Sequence, residues 1–106
     1  MIIVTTDTIP GKKIVKTFGL AKGNTIRARH VGIDIIAVLR NLVGGEIVEY
    51  TKLMGESREQ AIDRMVQEAE RMGANAVVGL RFTTSVIMGG ASELLSYGTA
   101  VYVEEE

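Results

Sequence analysis

Residues 46–72, EIVEYTKLMGESREQAIDRMVQEAERM, decide the fold that this sequence predicts, because their apolar side chains recur at helical spacing. The members of the apolar stripe lie three, four or seven residues apart and are Ile47, Tyr50, Met54, Ala61, Met65, Ala69 and Met72. The pattern predicts one long amphipathic helix, which Gly73 ends. Gly55, followed by Ser57 and Gln60, resembles a helix start and leaves a kink or a split near Gly55 open.

Alternating apolar and polar residues predict strands on both sides of this helix. The predicted strands are residues 2–6, 13–20, 25–28, 77–87 and 96–103. A turn is expected at residues 22–24, because Gly and Asn tolerate positive φ. In residues 77–87, strict alternation places Val78, Leu80 and Phe82 on one face. Gly89 and Gly90 are expected to open the loop between the last two strands.

The run from Val31 to Val43 is ambiguous, since its β-branched residues suit a strand whereas its length and the following Gly44–Gly45 suit a helix. A helix over residues 34–43 is favoured, with Asp34 near its N-terminus. Almost every side of that helix is apolar, which is typical of a buried helix. In a chain of 106 residues, a second subunit is the easiest way to bury it. The prediction is therefore a single α+β domain over residues 1–106, with a small antiparallel sheet packed on two helices, in a homo-oligomer.

The composition excludes several classes of function. The net charge is -1, so no general attraction to nucleic acid or to anionic membranes is expected. No secretory signal and no apolar run of membrane-spanning length is visible, so a cytoplasmic location is expected. The absence of cysteine excludes disulfides, zinc–thiolate sites and thiol catalysis.

Several short motifs spread over the chain resemble those of the YbjQ-like family. They are RNLVGGE at residues 40–46, GANAVVGLRF at 73–82, YT at 50–51, REQA at 58–61, YGTAV at 97–101, PG at 10–11 and GNT at 23–25. The resemblance covers nearly the whole chain. It implies a dodecin-like subunit, with a helix pair against an antiparallel sheet, and a homopentamer whose strands line a central barrel. It also carries a label of heavy-metal binding, with no established activity.

Metal binding has little support from the residues themselves. Soft heavy metals prefer thiolates, and the chain has no cysteine and a single histidine, His30. Arg27 and Arg29 make the surroundings of His30 basic, which disfavours a cation. His30 is therefore interpreted as a surface histidine. It remains a weak metal candidate, because a ring of subunits could bring several copies of it together. No cofactor is assigned.

Two arginines are the most informative polar residues. Arg40 and Arg81 lie in apolar or half-buried segments, where an unpaired charge is costly. A structural salt bridge, with Glu46, Asp34, Glu93 or a neighbour's carboxylate, is favoured over a site for a small anion or amphipathic ligand. The candidates for ligand or interface contacts are Arg40, Asn41, Glu46, Tyr50, Arg81, Glu93 and Tyr97.

No catalytic residue is predicted. Glu46 and Glu49 could serve as acid and base, but helix N-terminal charges explain them equally well. The leading hypothesis is thus a non-enzymatic homo-oligomeric binding or scaffold protein, most simply a pentamer. The alternative is an enzyme or small-ligand carrier with a composite site at subunit interfaces, built from Arg40, Glu46, Tyr50 and Arg81.

Overall fold

A computed structural model describes residues 1–28, 42–43, 46–88 and 91–106 of the chain. The elements in chain order are β1 (Ile2–Ile3), β2 (Lys12–Ala28), β3 (Leu42–Val43), β4 (Glu46–Ile47), α1 (Val48–Met72), β5 (Ala76–Met88) and β6 (Ala91–Glu105). The α+β class is confirmed, and both strands predicted after the helix are present with longer bounds. No helix in the described ranges has the length and apolar character needed to cross a membrane.

The main sheet has four strands in the order β1-β5-β6-β2. β5 and β2 each pair antiparallel with β6, whereas β1 pairs parallel with the start of β5. The sheet is therefore mixed, and the prediction of a purely antiparallel sheet was wrong at β1. β1 is also shorter than the predicted strand, since only Ile2 and Ile3 pair with Ala76 and Val77.

Helix α1 is continuous through Gly55, so the predicted single helix is confirmed and the split is not. It begins at Val48 rather than Glu46, because Glu46–Ile47 form β4. At the C-terminus of α1, Gly73 has a positive φ of 95°. The N–H of Gly73 donates to the Glu70 carbonyl (3.0 Å) and that of Ala74 to the Ala69 carbonyl (3.1 Å), which is a Schellman cap.

The helix lies directly against β2 at Gly23. A Cβ atom at this position would approach backbone atoms of Ala61, Arg64 and Met65 to less than 3 Å. The hydroxyl of Ser96, which is fully buried, lies 2.9 Å from the Ala61 carbonyl and 3.2 Å from the Gly23 carbonyl. The predicted turn at residues 22–24 was wrong: Gly23 continues β2 and serves close approach of the helix.

Strict alternation fails in β5 because Gly79, with a φ of 67°, forms a bulge. The register advances from Val78 opposite Thr99 to Arg81 opposite Tyr97, which leaves one extra residue on β5. As a result, Val77 and Leu80 both pack under the helix, and Val78 turns to the other face. The prediction that Val78 and Leu80 share a face was therefore wrong.

Two small cores lie on opposite sides of the sheet. Under the helix, buried Met65 and Ala69 pack with Val77 and Ala100. On the other side, Ile2, Val4 and Ile9 of the N-terminal segment cover a cluster of Ala76, Val78, Val101 and Val103. The N-terminal segment thus covers one end of the face that lies away from the helix.

The predicted helix over residues 34–43 lies mostly outside the described residues. Its last two residues do not fit the prediction, since Leu42–Val43 form β3 and pair antiparallel with Ile47 and Glu46 of β4. Gly44–Gly45, which the sequence predicts to end that helix, lie outside the described residues. In the described ranges α1 is the single α-helix.

Candidate functional site

One face of the sheet, opposite the helix, carries a set of polar side chains. The helix covers the face that contains Gly23, Thr25 and Ser96. Because side chains alternate along strands and cross-strand partners share a face, the intervening residues of β2 and β6 lie on the opposite face. We call this the open face and define it by Lys22, Asn24, Glu93, Leu95 and Tyr97.

A depression of about 360 Å³ lies where the open face meets the edge of the helix layer. Its lining residues are Lys22, Asn24, Glu68, Glu93 and Leu95. Glu68 comes from α1 and the others from β2 and β6. The volume lies within the range of small-molecule sites, which is roughly 300–1,000 Å³. The depression combines one ammonium and two carboxylates with an amide and one apolar side chain.

Hydrogen bonds hold the wall of the depression in place. The Asn24 side-chain amide donates to a carboxylate oxygen of Glu93 at 3.0 Å. The Arg64 guanidinium donates to the backbone carbonyl of Asn24 at 2.6 Å, which ties α1 to β2 beside the depression. Glu93, a predicted ligand candidate, therefore lies at this site, and its amide partner orients the carboxylate.

Among the side chains that the structure describes, Arg81 has no carboxylate partner of the kind that its segment predicts. Its side chain is exposed, and its guanidinium donates to the carbonyls of Thr5 (2.9 Å) and Leu80 (2.7 Å). Within the described ranges the single ion pair joins Lys12 and Glu105. Arg81 thus holds the N-terminal segment against β5, and the premise that it is half-buried was wrong.

Tyr97 lies on the open face between the two basic residues. It is half-buried and is the cross-strand partner of both Arg81 and Lys22. It adjoins the depression without lining it. Glu93 is the cross-strand partner of Ser85, which lies four residues after Arg81 along β5.

The side chains of the remaining predicted residues are not among those that the structure describes. His30, Arg40 and Asn41 lie outside the described residues. Glu46 belongs to β4 and Tyr50 to the first turn of α1.

The described side chains that could donate to a metal ion do not form a metal site. No group of three or more His, Cys, Asp or Glu side chains that could hold a metal ion occurs among the described residues. Lys22 places an ammonium beside the two carboxylates of the depression, which opposes a bare cation there. The described residues therefore do not fit a heavy-metal centre.

Sequence patterns alone did not identify Lys22, Asn24 and Glu68. The sequence predicts a turn at Lys22 and Asn24, and Glu68 lies outside the apolar stripe of the predicted helix. The usable signal was the alternation of Lys22, Asn24 and Ile26 with Ala21, Gly23 and Thr25, which continues through the supposed turn.

Comparisons with known proteins agree on one family. The family model described as "Putative heavy-metal-binding", YbjQ_1, matches residues 1–104. A UPF0145 protein of Methanosarcina acetivorans is 60% identical over 103 residues, which are 97% of each chain. A UPF0145 protein of Pyrococcus furiosus is 54% identical over 106 residues, covering 100% of this chain and 93% of the relative.

A solved structure shares the fold at low sequence identity. It is a protein of unknown function of the DUF74 family from Pediococcus pentosaceus, with a TM-score of 0.68 and 13% identity over 98% of both chains. At this identity the likeness concerns the fold alone.

Proposed function

This chain belongs to the YbjQ family, and we propose that it is a non-enzymatic, cytoplasmic homo-oligomer that acts as a binding or scaffold protein. The simplest assembly is a ring of five protomers, as the sequence resemblance implies. The observation that carries the proposal is the large apolar surface that one protomer leaves in water.

The exposed apolar side chains lie mainly on β2 and β5. Val86 is 82% exposed, Ile26 60% and Leu20 56%, and Phe82 is also exposed. Fully burying a valine or leucine side chain contributes about 1.5–3 kcal/mol. Contact with another protomer would bury several of these side chains at once, which favours association.

The shape of the protomer also supports assembly. Its radius of gyration is 17.3 Å, whereas a compact domain of about 100 residues has roughly 13 Å. Its longest extent is 56 Å, which is the length expected for a 17-residue strand such as β2 at about 3.3 Å per residue. Long strands that extend beyond their own core are suited to pairing or packing with another subunit.

Both sides of the main sheet offer strand edges for such pairing. β2 is an edge strand. Backbone bonds from the N-terminal segment reach β5 as far as Leu80, which donates to the Val4 carbonyl at 3.1 Å. From Arg81 onward, no strand of the described ranges pairs with the outer edge of β5.

Light scattering after gel filtration tests the assembly directly. We expect a mass that is a multiple of the 11.5 kDa protomer, most simply five times that value, at micromolar concentration. A mass of one protomer under these conditions would refute the proposal. Native mass spectrometry of the same sample gives the number of protomers independently.

The carrier form of the alternative hypothesis has one observation in its favour, the depression lined by Lys22, Glu68 and Glu93. A carrier would use this site to hold a small molecule without chemical change. Native mass spectrometry of the freshly purified protein should then detect a bound small molecule. The enzymatic form has less support, because Arg81 is engaged by backbone carbonyls.

A further inference from the structure

We propose that the depression between β2, β6 and α1 binds a small organic zwitterion of the amino-acid class that carries a second ammonium group, such as a diamino acid. The inference deepens the binding role proposed above and names its ligand class. It does not require the ring itself, since one protomer supplies all five lining residues.

The charges that face the depression are not neutralised by one another. Lys22, Glu68 and Glu93 all line it, yet within the described part of the chain none of them forms an ion pair closer than 4 Å. Because these opposite charges are held apart, the ammonium and the carboxylates can each bind an oppositely charged group of a ligand. A ligand that carries both charges could satisfy the ammonium and the carboxylates together.

The order of these charges sets the shape of the ligand. Glu93 is the cross-strand partner of Ile26, four residues along β2 from Lys22, or roughly 13 Å at about 3.3 Å per residue. The lysine and glutamate side chains shorten this separation when they reach towards each other. An elongated ligand with its carboxylate at Lys22 and a distant ammonium at Glu93 fits this arrangement.

Glu68 provides the place for a second ammonium group. It lies one helical turn after Arg64, whose bond to the Asn24 carbonyl fixes that part of α1 beside β2. The ionised side chains that line the depression carry one positive and two negative charges, which matches a ligand with two ammonium groups and one carboxylate. The nearby Arg64 guanidinium does not line the depression and is bonded to the Asn24 carbonyl. The same balance disfavours dicarboxylates and phosphates, because two carboxylates repel them.

Leu95 supplies the apolar floor. It is half-buried and lies in register with Asn24, between the rows of Lys22 and Glu93. The methylene groups of an elongated diamino acid can pack on it. The Asn24 amide is already bonded to Glu93, so it orients that carboxylate towards the ligand.

The test is titration of the full-length protein with L-lysine, followed by NMR or calorimetry. We expect saturable binding with a Kd of about 1 mM, because the site is shallow and the ligand small. Putrescine, which lacks the carboxylate, should bind more weakly, and acetate should not compete with L-lysine at equal concentration.

Three variants locate the site. Lys22→Gln should weaken L-lysine binding about tenfold, since it removes the partner of the carboxylate. It should strengthen putrescine binding, since it also removes a positive charge that repels both ammonium groups of putrescine. Glu93→Gln should weaken both ligands. Glu70→Gln, which removes an exposed charge of α1 away from the depression, should change neither.

Two results would overturn the inference: no saturable L-lysine binding at about 10 mM, or equal binding by the wild type, Lys22→Gln and Glu93→Gln. If acetate bound as tightly as L-lysine, the depression would be a site for anions and the inference of a diamino-acid ligand would be wrong. Light scattering of each sample separates this test from that of the assembly. A monomeric wild type that binds L-lysine would refute the ring and support the ligand site. An oligomer that binds no L-lysine would support the ring and refute the ligand site.

Discussion

At the scale of single residues, Gly23 has the most exacting position in the fold. An added methyl group would meet main-chain atoms of α1 at less than 3 Å, and these atoms cannot rotate away as a side chain can. We therefore expect Gly23→Ala to lower the free energy of unfolding by about 2 kcal/mol or more. Urea unfolding followed by circular dichroism, at one fixed protomer concentration, measures the change.

The matched control is Gly55→Ala. Gly55 lies inside α1, and an added Cβ would meet nothing within 4 Å. Alanine should raise the free energy of unfolding by about 0.5–1 kcal/mol, because glycine is a poor helix former. If both variants shifted stability in the same direction, the close contact at Gly23 would lose its support.

At the scale of elements, periodicity predicted the long helix and the last two strands because each buries one continuous face. Periodicity failed where a single residue shifts the alternation of faces along a strand, or where it contacts an element that is distant in the sequence. The bulge at Gly79 reverses the faces of β5, and Gly23 resembles a turn residue although it serves a contact made 38 residues later, at Ala61. The depression could not be predicted for the same reason, since Glu68 meets Lys22 and Glu93 only through tertiary packing.

The exposed half of β5 yields a prediction about assembly. Val86→Lys should leave the stability of the protomer within about 0.5 kcal/mol, because the side chain is 82% exposed. It should raise the dissociation constant of the assembly about tenfold or more, since the burial of an apolar side chain is lost. Light scattering over a dilution series measures this change, and Gln67→Lys, on the exposed side of α1, is the control. Equal dissociation of the two variants would remove β5 from the interface.

At the scale of the whole molecule, the family description and the donor set can be tested against each other. With no cysteine and one histidine, the chain lacks the thiolates that soft metals prefer, and its carboxylates and single imidazole bind such metals less well. We expect calorimetric titration with Cd²⁺ at neutral pH to show no binding with a Kd below about 1 μM. Stoichiometric uptake by the wild type that His30→Gln abolishes would contradict this expectation, because copies of His30 would then form a shared centre.

The side chain of Asn75 has a consequence for the durability of the protein. Its amide donates to the Val103 carbonyl at 2.9 Å and accepts from the Val103 N–H at 2.8 Å, so it imitates one peptide unit of a neighbouring strand. Asparagine is among the residues that heat damages most readily. Deamidation of Asn75 would place a carboxylate oxygen against the Val103 carbonyl oxygen, and the hydrogen bond from the side-chain amide would be lost. We therefore expect protein that has deamidated at Asn75 during storage to hold the end of β6 less firmly than fresh protein does.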